Sequence, residues 1–175
     1  WGTHNKELVF RTFTALATEG ELAAQRVSDA GAFGVLEAVM REATTAVLKA
    51  GATEVWMKLM LASKTVALPR VLELLDGCAR EHESLLGAAA GALAQHMETH
   101  FDGRTVVWQR KPLPLLALIT LLDESRSSLT RTHALKALTA ITFDAHTAAE
   151  AVRAGVMPIL ENLVAGSWAA AEEDA

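Results

Sequence analysis

Cysteine and aromatic residues are scarce in this chain, whose 175 residues include one cysteine, no tyrosine and only 5% aromatic residues. A lone Cys78 excludes an internal disulfide and any zinc site built on several thiolates, and we expect it to be a small buried residue. Such sparing use of cysteine suits a reducing compartment, so we expect a cytoplasmic protein. The composition is 51% hydrophobic and rich in alanine and leucine, which favour helices over sheets. The sequence therefore predicts an all-α fold.

Dense basic clusters and long apolar runs are also missing. The net charge is -5, and no row of Lys and Arg could neutralise a nucleic acid backbone, so nucleic acid is not an expected partner. The leucine-rich run at 113–122 ends at Asp123 and is too short to cross a bilayer, so no membrane span is expected. The sequence opens at Trp1 with no signal segment, which indicates a piece of a longer chain.

Prolines recur at a nearly constant interval. Pro69, Pro114 and Pro158 each open a leucine-rich run, and their spacings are 45 and 44 residues. A second marker keeps this period, because "AAGAL" at 89–93 and "ALKAL" at 134–138 lie 45 residues apart. The apolar residues around "ALKAL" recur at helical steps, which predicts a helix facing the core.

Glycine ends three predicted helices, since "RVSDAG" ends at Gly31, "AVLKAG" at Gly51 and "AVRAG" at Gly155. Glycine just past a helix can adopt the left-handed conformation that closes the last turn, and proline is tolerated in the first turn of the next helix. Each glycine is therefore predicted to form a sharp corner between helices. Lys111 replaces the glycine at one equivalent place, so that corner needs another geometry.

Each unit thus has a leucine-rich helix, a helix with an Ala-Leu pair and a short helix ending at glycine. Repeats of about 40–47 residues are typical of the armadillo and HEAT classes. The chain resembles the armadillo repeat family, with HEAT-like repeats as the near neighbour, through "ALKALTAI" followed by "AAEAVRAGVMPILENLV". The resemblance implies a right-handed superhelix, an α-solenoid of about three to four three-helix repeats, some of them incomplete.

The resemblance divides one domain, residues 1–175, into repeats of unequal completeness. The predicted units are the end of a repeat at 5–31, an irregular segment at 32–67, full repeats at 68–111 and 112–155, and at 156–175 the start of a further repeat or a C-terminal cap.

The segment 32–67 breaks the period because Gly31 and Gly51 lie 20 residues apart. Each glycine precedes a plausible first helix, which leaves no room for a second helix between them. Either this is one divergent short repeat or residues are missing near 41–45 and 62–65, and we favour missing residues.

The stretch "HMETHFD" has the most enzyme-like pattern, with His96 and His100 one helical turn apart. Two such histidines can share a metal, but the zincin pattern places Glu directly after the first His, whereas Glu98 lies two positions on. We expect both histidines at the solvent-exposed end of a helix, with no metal, cofactor or catalytic residue.

Other reactive or bulky residues have structural explanations. "GAAAG" at 87–91 predicts close helix packing, and the serines of "DESRSS" predict a helix cap. The serines of that loop are Ser125, Ser127 and Ser128. The tryptophans have different predicted roles: Trp56 is a candidate groove anchor, Trp108 a core residue, and Trp168 a cover for the last repeat.

The resemblance implies a groove lined by third helices that binds an extended peptide or a helix of a partner, without catalysis. The lining is predicted from positions about two and six residues before each corner. The candidate residues are Gln25, Asp29, Thr45, Lys49, Thr105, Gln109, Ala149, Glu150 and Arg153.

The identity of the partner is not determined by these positions, because they carry positive charges, on Lys49 and Arg153, as well as a negative charge on Asp29. Importin-α-like adaptors hold basic peptides with recurring Trp and Asn on their third helices, whereas this chain has only Asn5 and Asn162, neither at such a place. Importin-type basic cargo is therefore not expected. The alternatives to a scaffold are an architectural segment that packs through its ends and, least favoured, a metal-dependent enzyme using His96 and His100.

Overall fold

The fold is helical throughout the part of the chain that the computed structural model describes, residues 3–43, 45–62, 64–76, 83–99, 107–108, 114–125 and 127–173. No strand occurs in these ranges, which confirms the all-α prediction. None of the helices within them has both the length and the apolar character needed to cross a bilayer. Their bounds are α1 Thr3–Thr18, α2 Glu21–Asp29, α3 Ala32–Glu42, α4 Ala46–Ala62, α5 Lys64–Asp76, α6 Glu83–Thr99, α7 Leu115–Glu124, α8 Ser128–Ile141, α9 Ala145–Arg153 and α10 Val156–Glu173.

Four of the longer helices pack side by side, since α1 contacts α4, α4 contacts α6, and α6 contacts α8. The central helix, α6, is buried at every residue from Leu85 to Ala94. A helix that is apolar all round is stable only where neighbours cover every face, and α3, α4, α5, α7 and α8 all contact α6. The core of the described chain is therefore built around α6.

Two glycines let α6 and α8 approach closely. A Cβ added at Gly87 would lie 2.7 Å from Thr130 Oγ1, and one added at Gly91 would lie 2.8 Å from His133 Nδ1. His133 Nδ1 is also 3.1 Å from the Gly87 carbonyl oxygen, and because a carbonyl only accepts, this ring nitrogen carries the proton. These contacts confirm that "GAAAG" serves close helix packing.

Two of the predicted corners are present. Gly31 and Gly155 have φ values of 87° and 91°, in the left-handed region, and each directly precedes a helix. The preceding turns match as well, because the Gly31 amide donates to the Ser28 carbonyl and the Gly155 amide to the Val152 carbonyl. The repeated "AG" sequence thus folds in the same way at both places.

The predicted corner at Gly51 is wrong. Gly51 lies inside α4, which continues without interruption from Ala46 to Ala62. A Cβ there would be 3.2 Å from Phe10 Cδ2, so the absent side chain gives room to α1 and does not end a helix. The segment after Gly31 therefore contains α3 and the long helix α4, where the sequence predicted two short first helices of repeats.

The prolines occupy unequal positions. Pro114 is the N-cap residue of α7 and Pro158 lies in the first turn of α10, as expected for proline at the start of a helix. Pro69, by contrast, lies inside α5, which begins five residues earlier at Lys64, so the predicted repeat start at residue 68 is not a helix start. In the two places where residues were predicted to be missing, near 41–45 and near 62–65, residues 44 and 63 lie outside the described residues, so that interpretation stays a prediction. Lys111 also lies outside the described residues.

Hydrogen bonds close the junction between α8 and α9. Asp144 is the N-cap of α9 and accepts from the backbone amides of His146 and Thr147. The Thr147 hydroxyl lies 2.6 Å from Asp144 Oδ2 and 2.8 Å from the Ile141 carbonyl oxygen, which also accepts from Trp108 Nε1 at 3.0 Å. The last turn of α8 is thereby hydrogen-bonded both to α9, which follows it, and to Trp108, which precedes α8 in the chain.

Substituting Gly87 should show how much the close approach of α6 to α8 matters. Gly87→Ala forces a Cβ onto the branched side chain of Thr130, and such overpacking costs about 1–3 kcal/mol of unfolding free energy. Gly34→Ala is the matched control, since Gly34 is helical with open space around it and should gain about 0.5–1 kcal/mol. Urea unfolding measures both, and a stabilised Gly87→Ala variant would contradict the packing argument.

The cap at Asp144 should make stability depend on pH. The Thr147 hydroxyl and the capped amides hold the pKa of Asp144 below its usual value. Since the folded-state pKa is the lower one, the stabilisation is complete above the unfolded value of about 3.9 and is lost as the pH falls through the folded value. Asp144→Asn should therefore have a lower thermal midpoint than the native chain at neutral pH, and the difference should shrink in acid. An equal difference at about pH 7 and about pH 2 would contradict this.

Candidate binding surface

Five of the predicted groove residues lie on two short helices. Gln25 and Asp29 lie one turn apart on α2, where Gln25 Nε2 donates to Asp29 Oδ1 at 2.8 Å. Glu150 and Arg153 lie on α9, with Glu150 Oε1 3.1 Å from His146 Nε2 and Arg153 exposed, as is Ala149. Helix α2 packs on α1, α3 and α4, whereas α9 packs on α10. All of these side chains are at least partly accessible, and their contact with a partner stays a prediction.

The other predicted pairs do not lie on a helix that ends at a corner. Thr45 directly precedes α4 and Lys49 lies in its first turn, so the expected helix ending at Gly51 does not position them. The two residues line different depressions, one on each side of α4. Thr105 and Gln109 lie outside the described residues.

The histidine stretch does not fit the expected exposure. His96 is buried, at 8% exposure, beside Met60 and Leu68, because α6 is covered almost to its end. Glu98 is exposed, and His100 lies outside the described residues. Within the ranges that are described, no group of three or more His, Cys, Asp or Glu side chains could hold a metal ion.

The tryptophans are core residues where they can be described. Trp56 is fully buried and packs edge-on against Phe33, with ring centroids 6.1 Å apart, so the interpretation as a groove anchor was wrong. Trp108 is half-buried against the core, as predicted. Trp168 lies on α10, and its side chain is outside the description, as is all of Cys78.

The serine loop is a cap, as predicted. Ser127 is the N-cap of α8, and its side chain accepts from the Thr130 amide at 3.2 Å. Glu83, at the start of α6, accepts from the Ser125 hydroxyl and from the Ser127 amide. The loop is thus bonded to α6. Ser128 is exposed in the first turn of α8.

An open apolar groove lies between α1 and α4, and we refer to it as the α1–α4 groove. It measures about 750 Å³, a size usual for ligand sites. Its rim carries Val47, which is 81% exposed although it is apolar. Arg11 and Glu54 are its charged residues. The full lining is Phe10, Arg11, Thr14, Ala15, Thr45, Val47, Leu48, Gly51, Glu54 and Val55.

Sequence reasoning identified only Thr45 of this groove. The missed signal is the helical pattern of α4, where Val47 and Leu48, then Gly51, then Val55 recur at three- and four-residue steps and form a stripe. Reading Gly51 as a helix end divided this stripe into two short helices. The contact of Phe10 with Gly51 joins residues 41 positions apart, which local patterns do not predict.

A second depression lies on the other side of α4, between α4, α6 and α8, and we call it the Lys49 depression. It measures about 330 Å³ and shares Glu54 with the α1–α4 groove. Lys49 and His133 line it together with several serine and threonine residues. The full lining is Lys49, Ala50, Thr53, Glu54, Met57, Ser84, Gly87, Ala88, Ser127, Leu129, Thr130 and His133.

Among the residues with a described side chain, the most deeply buried carboxylate is that of Glu37 on α3, whose side chain is 2% exposed. Its oxygens accept from Arg70 Nε at 3.2 Å and Arg70 Nη2 at 2.7 Å, and one of them also accepts from Trp56 Nε1 at 3.4 Å. This hydrogen bonding by Glu37 is the main cause that raises the pKa of Arg70. Arg41 Nη2, on α3 itself, lies 3.7 Å from the same carboxylate. Because the carboxylate is engaged from α3, α4 and α5, we interpret the cluster as structural.

Removing the Arg70 charge should leave Glu37 buried without its main partner. Breaking a buried pair costs about 3–5 kcal/mol, and we expect Arg70→Met to fall at the lower end because solvent reaches Arg70. The matched control is Lys58→Met, which removes the more exposed pair with Glu54 and should cost less than about 1 kcal/mol. Chemical unfolding of both variants tests this, and equal losses would show that burial of Glu37 is not the determining factor.

The comparisons with known proteins add no relative. No protein-family model, no curated protein and no solved structure matches the chain. The two depressions beside α4 are therefore interpreted from their geometry and chemistry alone.

Proposed function

We propose that the chain is a non-catalytic interaction scaffold that binds a helix or an extended segment of a partner protein, in the cytoplasm. The α1–α4 groove is the observation on which this depends. Apolar side chains predominate in its lining, it is open to solvent, and its rim residue Val47 is exposed. Exposed apolar surface of this kind marks interaction sites, and grooves between helices are a common site for peptide segments.

The proposed architecture is an armadillo-like superhelix of three-helix repeats. Two observations support it. The corners at Gly31 and Gly155 repeat one backbone geometry. In addition, α1, α4, α6 and α8 pack in a row, although at least one other helix separates each of them from the next along the chain. In the proposed architecture, α1 and α4 correspond to the second helices of two repeats. The proposed binding groove lies between them and therefore differs from the groove lined by third helices that the resemblance implies.

An architectural role is the second candidate, because α10 exposes apolar side chains. Helix α10 packs on α7 and α9, yet Met157 and Val164 are 44% and 56% exposed. Such a face suits packing against another domain. This role requires α10, whereas the scaffold role requires the α1–α4 groove.

A charge placed on the groove rim should abolish binding. We expect peptides selected by the full chain from a displayed library of random 12-residue sequences to lose at least tenfold in affinity for Val47→Asp, because burying an unpaired carboxylate in an apolar groove is costly. Val35→Asp is the matched control, since Val35 is an exposed valine on α3 outside the groove. Fluorescence polarisation measures the affinities, and thermal unfolding checks the fold.

Two results would contradict the scaffold. One is the absence of any enriched peptide; the other is equal binding by the Val47→Asp and native chains. Binding that survives at the groove variant but is lost on Met157→Asp would instead support the role of α10.

A further inference from the structure

The Lys49 depression contains a cation that has no partner among the residues that the structure describes. Within the described residues the Lys49 ammonium forms no ion pair and no hydrogen bond, although its side chain is half-buried. Lys58, a half-buried lysine on the same helix, is paired with Glu54 at 2.6 Å. A ligand that covers this ammonium and excludes water from it must supply a counter-charge, because an unpaired charge is costly to bury.

The remaining lining fits a carboxylate. Glu54 is the acidic residue that lines the depression, and its carboxylate is already engaged by Lys58. Ser84 and Ser127 line the same space, and because Ser127 Oγ accepts from the Thr130 amide, its own proton stays available for donation. A lysine with hydroxyl donors is a common arrangement for binding a carboxylate.

The two depressions lie close enough for one short segment to occupy both. They flank α4 and share Glu54, so a segment that fills both must cross one helix, whose diameter is about 10–12 Å. An extended chain covers about 3.3 Å per residue, so about three residues span the crossing. An apolar side chain in the α1–α4 groove would then place a side chain three or four residues away over Lys49.

We propose that the partner segment places a bulky apolar residue in the α1–α4 groove and an acidic residue over Lys49. The acidic residue, an Asp or Glu about 10 Å from the apolar one, pairs its carboxylate with the Lys49 ammonium. The proposal rests on the proposed function and adds the chemistry of the partner to it. Of the charged residues that line the depression, Glu54 is already paired with Lys58, so Lys49 is the one that an acidic side chain of the segment can pair with.

The test uses the full chain and a displayed library of random 12-residue peptides. Enriched peptides should share an apolar residue and an acidic residue three or four positions apart. Synthetic peptides of that type should bind Lys49→Glu at least tenfold more weakly than the native chain. Replacing the peptide's acidic residue with Lys should restore binding to Lys49→Glu, because the charges are then exchanged.

Lys136→Glu is the matched control, since Lys136 is an exposed lysine on α8 that does not line the depression, and it should leave the affinity within about twofold. Thermal unfolding confirms that each variant is folded. Three results would each overturn the acidic partner: enriched peptides without acidic preference, enriched basic peptides, or binding unchanged by Lys49→Glu. If such binding is still lost on Val47→Asp, the α1–α4 groove remains supported as the binding site. No enrichment at all would overturn the proposed function itself.

Discussion

The close contact of α6 with α8 is the constraint on which the rest of the described fold depends. Gly87 and Gly91 carry no side chain where Thr130 and His133 approach, so two helix backbones can lie nearer than larger residues would permit. Because α6 also contacts helices on its other sides, its position determines where α3, α4 and α5 can pack. The Lys49 depression follows from the same contact, since its floor includes Gly87, Ala88 and Thr130.

Local chemistry predicted the features that depend on a few neighbouring residues. The glycine corners at Gly31 and Gly155, the serine cap at Ser127 and the small-residue packing of α6 each follow from backbone freedom, hydrogen bonding or side-chain size at one position. The all-helical composition predicted the class of the fold. In these cases the sequence contains the physical cause directly.

Long-range packing could not be predicted in the same way. Gly51 has the same local signal as Gly31, an alanine followed by glycine after a helical stretch, yet it lies inside α4 because Phe10 of α1 packs against it. His96 is likewise buried by helices distant in sequence. The candidate site was missed for this reason, since the α1–α4 groove exists only after residues 10 and 51 meet, and Thr45 alone was identified.

The buried carboxylate of Glu37 has a consequence for how the molecule opens. Its charge is desolvated by α3 and α4 but compensated by a guanidinium that α5 supplies. If α5 detached alone, the carboxylate would lose its main counter-charge while still inside the protein, which is strongly unfavourable. We therefore expect local opening of α5 to be coupled to that of α3 and α4, because electrostatics links these three helices.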